Sequence, residues 1–309
     1  MEGSKATYNE SETGALLRTR TGMAARLRAY VALVKPRLTM LVVFSAIFGY
    51  FMAPNVEGFD WLTVLSLALG GFLITGASNT LNQVIEQEYD RLMTRTQNRP
   101  MAKRVIGSFE AVAFALLCGA GGIVLLGVMF EGLVPALLGI IALLLYAFVY
   151  TPLKRIHSVA VLVGAFPGAM PPLIGWAAAT GTLGPEALVL FLIQFLWQFP
   201  HFWAIAWVLE EDYKKAGFKM LPGDGGRSGF TASIIFVYTL LLIPVVALPV
   251  SMGFMGWPAA IAMGVAGGVF AVQAFTLMRV RTIKAASRLM FGSFIYLPVV
   301  QVVMLIDKF

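Results

Sequence analysis

The sequence predicts an all-α, polytopic membrane protein with about nine transmembrane helices. Of its 309 residues, 59% are hydrophobic and only 13% are charged, and the mean hydropathy is +0.81. A soluble domain usually carries about 25% charged residues, so lipid must cover much of the surface of this chain. The apolar residues also form long blocks, which is the pattern of membrane helices and not of a single soluble core.

Nine apolar blocks are each long enough, or nearly so, to cross about 30 Å of hydrocarbon as a helix. In chain order the blocks are residues 38–54, 61–83, 108–129, 133–151, 158–180, 187–208, 230–250, 256–278 and 289–306. Glycine and proline recur inside them, and membrane helices tolerate both. Cys118, inside the third block, is the single cysteine of the sequence. One cysteine cannot form an intrachain disulfide.

The basic residues predict the orientation of the bundle. Of the 23 lysines and arginines, all but Lys308 precede the first block or lie in the loops after the second, fourth, sixth and eighth blocks. These segments all lie on one side of a nine-helix chain. The positive-inside rule therefore predicts a cytoplasmic N-terminus and a C-terminus outside.

Residues 1–29 are predicted to form a flexible basic cytoplasmic tail, and residues 30–309 a transmembrane domain. The tail contains Glu2, Glu10 and Glu12, whereas mitochondrial transit peptides are poor in acids, and no short apolar signal core precedes the first block. These features favour the cell inner membrane over the mitochondrial inner membrane. The basic residues beside the first block are expected to lie near anionic headgroups of the membrane lipid.

The end of the second block carries a polar helix face. Glu88 points to the opposite side of this helix, since successive residues are about 100° apart. The residues that share the polar face, within an arc of about 100°, are Asn82, Gln83, Glu86 and Asp90, with Asn79 at its edge.

This face has the chemistry of a metal and diphosphate site. Acids at membrane depth are costly and usually face a cavity or a partner. Mg²⁺ takes one or two carboxylates and leaves the rest of its shell to phosphates and water. Arg95 and Arg99 follow at i+4 spacing and can clamp phosphate oxygens. For any single acid, a helix-end salt bridge to Arg91 or Arg95 remains the alternative.

A second polar stripe lies at the end of the sixth block. Pro200 is expected to kink this helix, which weakens the register beyond it. His201 could act as an acid or base, as a metal ligand or as a hydrogen-bonding core residue. The residues that share one face of a regular helix are Gln194, Gln198, His201 and Asp212, whereas Glu210 and Glu211 point elsewhere. Two acid-bearing helix ends could hold two Mg²⁺ and a diphosphate between them.

These motifs resemble those of the UbiA-type intramembrane prenyltransferases. The first match is Asn82-Gln83-x-x-Glu86-x-x-x-Asp90, followed by Arg95-Thr96-x-x-Arg99-Pro100. The general motif has Asp at the positions of Gln83 and Glu86, and these two departures are the pattern of the protoheme IX farnesyltransferase (heme O synthase) branch. Met101-Ala102 stands where Leu-Pro is common. Further matches to that branch, within about residues 30–305, are Tyr150-Thr-Pro-x-Lys154-Arg155, Val163-Gly-Ala-x-Pro-Gly-Ala-x-Pro-Pro, Trp197-Gln-x-Pro-His201-Phe-Trp and Asp212-Tyr-x-x-Ala-Gly217-x-x-Met220-Leu-Pro222.

The resemblance implies a reaction and a site. The donor would be farnesyl diphosphate, the acceptor heme B, the product heme O and the cofactor Mg²⁺. The implied metal ligands are Asn82, Glu86, Asp90 and Asp212, with Glu211 as a further candidate. Arg95 and Arg99 join the first four as catalytic residues. The implied substrate contacts are Arg95, Arg99, Lys154, Arg155, His201, Asn79 and Gln198, with His201 on the heme side.

Two other functions stay open at this stage. A prenyltransferase that acts on a quinone precursor, or on another aromatic or tetrapyrrole acceptor, would share most of these motifs. A transporter is the more distant alternative, because it predicts midplane polar residues and inverted repeats, whereas the acids here lie at one surface. Transfer of the product to a heme A synthase is a further expectation that no single residue supports, and no nucleic acid partner is expected.

Overall fold

The membrane-spanning helices define the architecture of the chain. A computed structural model describes residues 22–56, 58–223 and 226–309, and these residues contain helices and no strands. Eight helical segments of this part of the chain are long and apolar enough to cross a membrane. A ninth candidate is a helix pair, α1 (Met23–Val34) and α2 (Pro36–Met52), which is bent by 42°. The predicted all-α bundle of about nine spans is confirmed.

The remaining helices follow the predicted blocks to within a few residues at most ends. They are α3 (Trp61–Asp90), α4 (Ser108–Met129), α5 (Val134–Leu144), α6 (Thr151–Leu153), α7 (Ala160–Thr180), α8 (Pro185–Val208), α9 (Glu210–Lys215), α10 (Gly229–Val245), α11 (Leu248–Ser251), α12 (Trp257–Val280) and α13 (Ile283–Lys308). A π-helical turn, Leu145–Tyr150, joins α5 to α6. The main difference is at α3, which continues beyond the predicted residue 83 and so carries the polar face on a regular helix.

The break between α1 and α2 lies at Lys35. This residue has a left-handed backbone with φ of 49°, which is uncommon for a residue with a side chain. Pro36 follows at the first position of α2, where its missing N–H costs no hydrogen bond. Helix α1 starts at Met23, within the residues 1–29 that are predicted as a tail. Residues 1–21 of that tail lie outside the described residues.

Close backbone contact between α2 and α7 fixes one wall of the bundle. A Cβ atom at Gly49 would overlap the backbone of Pro172, and one at Gly175 would overlap the carbonyl of Ala46. Only glycine permits this approach, which is typical of packing between membrane helices. Helix α7 also packs against α8, and α8 against α13. The result is an internal space bordered by α2, α3, α7, α8 and α13.

Candidate active site

The polar face of α3 points into the protein. Asn82, Gln83, Glu86 and Asp90 are all buried, as their common helix face predicts. Glu88 instead is exposed and pairs with Arg91 and Arg104. The predicted orientation of these side chains is therefore confirmed.

Each buried carboxylate of α3 has a cationic partner from a distant part of the chain. Lys154, which follows α6, places Nζ 2.5 Å from Glu86 Oε1. That oxygen has no hydrogen bond of regular geometry, so it keeps capacity for another ligand. Arg99, in the loop after α3, donates from Nη1 to both oxygens of Asp90 at 2.8 Å. The predicted Asp90 and Arg99 are thus in direct contact.

Lys35 is a further residue of this site, and its sequence context identifies it only as one of the basic residues before the first block. Its Nζ donates to Asn82 Oδ1 at 3.2 Å, and Asn82 Nδ2 donates to Thr151 Oγ1 at 3.1 Å. The left-handed backbone of Lys35 brings this cation from the α1–α2 break to the polar face. Strained backbone of this kind persists where the surrounding structure holds it, frequently at functional sites. The Lys-Pro pair just before the first block was the only signal in the sequence.

The second acidic segment is built differently from the α3 face. Helix α8 ends at Val208, and Asp212 lies on the separate helix α9. Asp212 accepts hydrogen bonds from the backbone N–H groups of Thr94 and Arg95, at 3.2 and 3.1 Å, and from Lys215 Nζ at 3.0 Å. The prediction that Asp212 continues the helix face of Gln194 and His201 is wrong, because the break at Leu209 ends that register.

The hydrogen bonds of Asp212 also set its charge. Desolvation alone would raise the pKa of Asp212, but the Lys215 ammonium and the two backbone N–H groups outweigh it and lower the pKa to about 2. Asp212 is therefore ionised at neutral pH. It ties the loop that carries Arg95 to helix α9.

The other acids of this segment are engaged elsewhere. Glu210 is buried and pairs with Arg227 at 3.0 Å and Lys214 at 3.1 Å. Glu211 has a side chain that is 70% exposed and pairs with Arg227 at 3.4 Å. The predicted Glu211 ligand is thus in contact with an arginine and not with the other predicted ligands.

Two further predicted basic residues lie at the exposed rim of the polar face. The guanidinium of Arg155 lies 4.0 Å from the centre of the Tyr89 ring and also contacts the Tyr89 hydroxyl. The Arg95 side chain is exposed, while its backbone N–H is held by Asp212. Both cations can approach an anion that arrives from the water side.

An apolar cavity of about 260 Å³ lies next to the polar face, inside the bundle. Asn79, one helical turn from Asn82, lines the cavity and connects it to the charged residues. Gln194, Gln198 and His201 line the facing wall from α8, which confirms their predicted common face. None of the described residues that line this cavity is charged. It is thus suited to an apolar molecule that needs a few polar contacts.

The π-helical turn shapes the region between the cavity and the polar face. Tyr146 and Tyr150 both belong to this turn and line the cavity. Tyr150 packs against Gly164, where any side chain would overlap its ring. The Lys154 ammonium lies 4.6 Å from the centre of the Tyr150 ring. The turn therefore places one aromatic side chain against both the cavity and the Glu86–Lys154 pair, and π-helical turns are frequent at functional sites.

The donor atoms of the α3 face fit a Mg²⁺ that shares its shell with a substrate. Within residues 22–56, 58–223 and 226–309, no three His, Cys, Asp or Glu side chains converge on one point. The face instead offers two carboxylates and amide oxygens. Gln83 Oε1 has no hydrogen-bond partner among the described residues, and Glu86 Oε1 is contacted by Lys154 without a hydrogen bond of regular geometry. Hard oxygen donors in this small number suit Mg²⁺, whose remaining positions phosphate and water oxygens would fill.

Comparison with known proteins identifies the family of the chain. Residues 42–296 match the UbiA prenyltransferase family. The chain belongs to this family. A protoheme IX farnesyltransferase of Cytophaga hutchinsonii is 48% identical over 93% of this chain and 99% of the relative. A protoheme IX farnesyltransferase of Koribacter versatilis is 38% identical over 96% of this chain and 99% of the relative. The chain is thus a prenyltransferase, as its motifs predict.

Solved structures share the fold at low sequence identity. A digeranylgeranylglyceryl phosphate synthase matches with a TM-score of 0.76 and 18% identity, over 91% of this chain and 98% of that one. A UbiA homologue of Archaeoglobus fulgidus, bound to GPP and Mg²⁺, matches with a TM-score of 0.63 and 15% identity, over 89% and 99% of the two chains. These likenesses establish the helical arrangement of the family for this chain.

Proposed function

We propose that this chain transfers the farnesyl group of farnesyl diphosphate to a vinyl group of heme B, with addition of water, and gives heme O and diphosphate. The observation that carries the proposal is the junction of two regions. A buried charged face, suited to Mg²⁺ and a diphosphate, adjoins an uncharged cavity that contains one histidine. The relatives named protoheme IX farnesyltransferase, at up to 48% identity over most of the chain, support the choice of substrates.

The charge balance of the α3 face favours an anionic donor. Glu86 and Asp90 supply two negative charges, while Lys154, Arg99 and Lys35 supply three positive charges in direct contact with the face. Arg95 and Arg155 add two cations at its rim. Cations held in place before the reaction stabilise the charge that develops on the leaving diphosphate. Glu86 and Asp90 keep this cluster from having too great an excess of positive charge before the donor binds.

We propose Asn82, Glu86, Asp90 and Asp212 as the residues that would hold Mg²⁺. Asp212 already accepts three hydrogen bonds, and a carboxylate offers about four lone-pair sites, so it retains one position for a metal. When bound, Mg²⁺ neutralises the diphosphate and makes it a better leaving group. We leave Glu211 out of this set because it is exposed and paired with Arg227.

The reaction needs a dry space beside the diphosphate. The C1–O bond of the donor breaks, and its electron pair leaves with the diphosphate. The terminal carbon of the vinyl group bonds to C1, and a water molecule then adds to the inner vinyl carbon and loses a proton. The uncharged cavity, lined by Asn79 and by Gln198 and His201, excludes water from C1 until the new bond has formed. Gln198 and His201 are proposed to contact the porphyrin.

We further propose that the chain lies in the cell inner membrane with the charged face at the cytoplasmic side. The distribution of lysine and arginine along the sequence supports this orientation. A heme A synthase is the expected recipient of the product. Labelling of single cysteines at residues 95 and 253, in intact cells and in inverted vesicles, measures the orientation. Preferential labelling at 95 from outside intact cells would contradict it.

Conversion of heme B by the purified full chain tests the proposed function. The chain in detergent or lipid vesicles is incubated with heme B and farnesyl diphosphate, with Mg²⁺ or with a chelator, and the extracted porphyrins are analysed by mass. We expect heme O only when Mg²⁺ is present. Unchanged heme B, together with prenylation of an added quinone precursor, would contradict the proposal and support the alternative acceptor.

A further inference from the structure

We propose that His201 binds the iron of the heme substrate through Nε2, and that Ser293 is the positioning residue that leaves this nitrogen free. The inference rests on the proposed function, because it assigns an axial ligand to the acceptor of that reaction. Three observations carry it: the hydrogen bonds of the Ser293 hydroxyl, the aromatic rings that pack against the imidazole, and the uncharged cavity that the imidazole faces.

The Ser293 hydroxyl determines which imidazole nitrogen carries the proton. Its Oγ lies 2.6 Å from the carbonyl oxygen of Met290 and 2.8 Å from Nδ1 of His201. A carbonyl only accepts, so the single hydroxyl proton is donated to Met290. The hydroxyl oxygen must then accept from the imidazole, which places the proton on Nδ1. The network therefore specifies the tautomer with an unprotonated Nε2.

The imidazole ring is held rigidly in this orientation. It stacks on the Trp197 ring with centroids 4.4 Å apart and an interplanar angle of 18°, and Phe294 meets it edge-on at 4.9 Å. The Trp197 indole N–H donates to the carbonyl of Ser293 at 2.9 Å. Ser293 thus holds the imidazole through its side chain and the stacking partner of the imidazole through its backbone.

The free nitrogen opens into the cavity. His201 lines the cavity, and Nε2 has no hydrogen-bond partner among the described residues. It is also not one of the buried polar atoms that packing has sealed off. A neutral imidazole nitrogen with a lone pair is a common metal ligand, and the partner of its other nitrogen usually fixes the ring. Because no charged side chain of the part of the chain that the structure describes lines the cavity, no ion pair there competes for this nitrogen.

The location of His201 is compatible with its proposed role in the reaction. The Phe202 ring lies 5.5 Å from the His201 ring and 6.5 Å from the Tyr150 ring, and Tyr150 contacts the Lys154 ammonium. Two aromatic side chains therefore connect the proposed iron ligand to the diphosphate face. A porphyrin anchored by its iron at His201 would direct its rim toward the site where the farnesyl cation forms.

Titration of the purified full chain with hemin tests the axial ligand directly. Hemin affinity and the Soret and electron paramagnetic resonance spectra are measured for the wild type, His201→Ala and His157→Ala. His157 is the only other histidine of the chain and is exposed in a loop. We expect His201→Ala to lose the histidine-ligated spectrum and His157→Ala to keep it. Imidazole added to His201→Gly should restore the spectrum. An unchanged spectrum in His201→Ala would overturn the proposal.

The role of Ser293 has a separate test. Removal of a hydrogen-bond partner of a metal-ligating histidine typically costs 10–100-fold in metal affinity or activity. We expect Ser293→Ala to bind hemin about 10–100-fold more weakly, while its affinity for metal-free protoporphyrin IX stays unchanged. Ser251→Ala is the matched control, because Ser251 also donates to the carbonyl three residues earlier but is exposed on α11. Equal losses for hemin and the metal-free porphyrin would overturn the positioning role.

The outcomes separate this inference from the proposed function. If the wild type converts heme B to heme O while His201→Ala keeps the wild-type iron spectrum, only the inference fails. If the wild type does not convert heme B at all, the proposed function fails. Farnesyl diphosphate binding, measured in the same variants, should stay at the wild-type level because His201 and Ser293 do not contact the α3 face.

Discussion

The α3 face and the cavity wall of α8 are adjacent, but they are built on opposite principles. At the α3 face, the two buried carboxylates pair with Arg99 and Lys154, and a third cation, Lys35, contacts Asn82. On the cavity wall, Gln194, Gln198 and His201 are polar side chains in a surface whose described residues carry no charge. The first region can accept a highly charged group, and the second can accept a largely apolar one.

This difference explains how one site can receive two unlike substrates. Transfer of a diphosphate into a low-dielectric region carries a large desolvation cost. Cations that are already in place can offset this cost. The farnesyl cation, in contrast, needs surroundings from which water is excluded. The junction lies at Asn79 and Tyr150, each of which lines the cavity within one turn of a residue of the charged face.

The largest expected effect on turnover comes from a substitution in the charged α3 face. Glu86→Gln removes a carboxylate that we assign to Mg²⁺ and leaves Lys154 without its anionic partner. We expect kcat for heme O formation to fall by about 10³-fold, the scale of losing a group that stabilises charge in the transition state. Glu88→Gln, on the exposed side of the same helix, should stay close to the wild type. Wild-type turnover in Glu86→Gln would contradict the assignment.

The next largest effect is expected at the break between α1 and α2, and it tests whether the cation at this break serves the charged face alone. Lys35→Met removes the cation that contacts Asn82 but keeps the length of the side chain. We expect kcat to fall by about 10²-fold, with weaker binding of farnesyl diphosphate and unchanged binding of hemin. Lys284→Met, at an exposed lysine near the start of α13, is the control. A loss of hemin binding in Lys35→Met would mean that the two regions are not independent.

A smaller effect is expected from the cavity wall. Gln198→Leu removes a polar group that lines the cavity and approaches Gly168 closely. One hydrogen bond to the acceptor contributes about 0.5–1.5 kcal/mol, so KM for heme B should rise by up to about tenfold. KM for farnesyl diphosphate should not change. The comparison of the two KM values shows which substrate this wall contacts, and a rise for farnesyl diphosphate alone would exclude the assignment.

The smallest effect concerns stability and depends on pH. The pKa of Asp212, at about 2, lies below the ordinary value for Asp, so its ionised form stabilises the folded chain above about pH 4. That contribution is lost as the pH falls from about 4 toward 2. We expect Asp212→Asn to lower Tm by about 2–4 °C at pH 7, and the difference from the wild type to shrink below pH 4. A difference that grows on acidification would show that another group is responsible.

Helix periodicity predicted most of the polar face correctly. Glu86 and Glu88 are two residues apart, yet the first is buried and the second exposed, as the spacing of about 100° per residue requires. The common face of Gln194, Gln198 and His201 followed from the same rule. Within one regular helix, the direction of a side chain is a local property that the sequence contains.

Contacts between helices were not accessible in the same way. The partners Lys154 and Glu86 are brought together only by packing of α3 against the π-helical turn and α6. The position of Lys35 depends on its own left-handed backbone before a proline. The position of Asp212 depends on the helix break at Leu209, where a continuous helix was predicted. These features arise from backbone irregularity, which periodicity cannot describe.

Ligand binding to paired variants tests most directly the claim that two separate regions receive the two substrates. Dissociation constants for farnesyl diphosphate with Mg²⁺ and for hemin are measured by equilibrium titration of the wild type, Glu86→Gln and His201→Ala. Glu86→Gln should lose affinity for farnesyl diphosphate and retain that for hemin, and His201→Ala should show the reverse. A similar loss of both affinities in both variants would contradict the account.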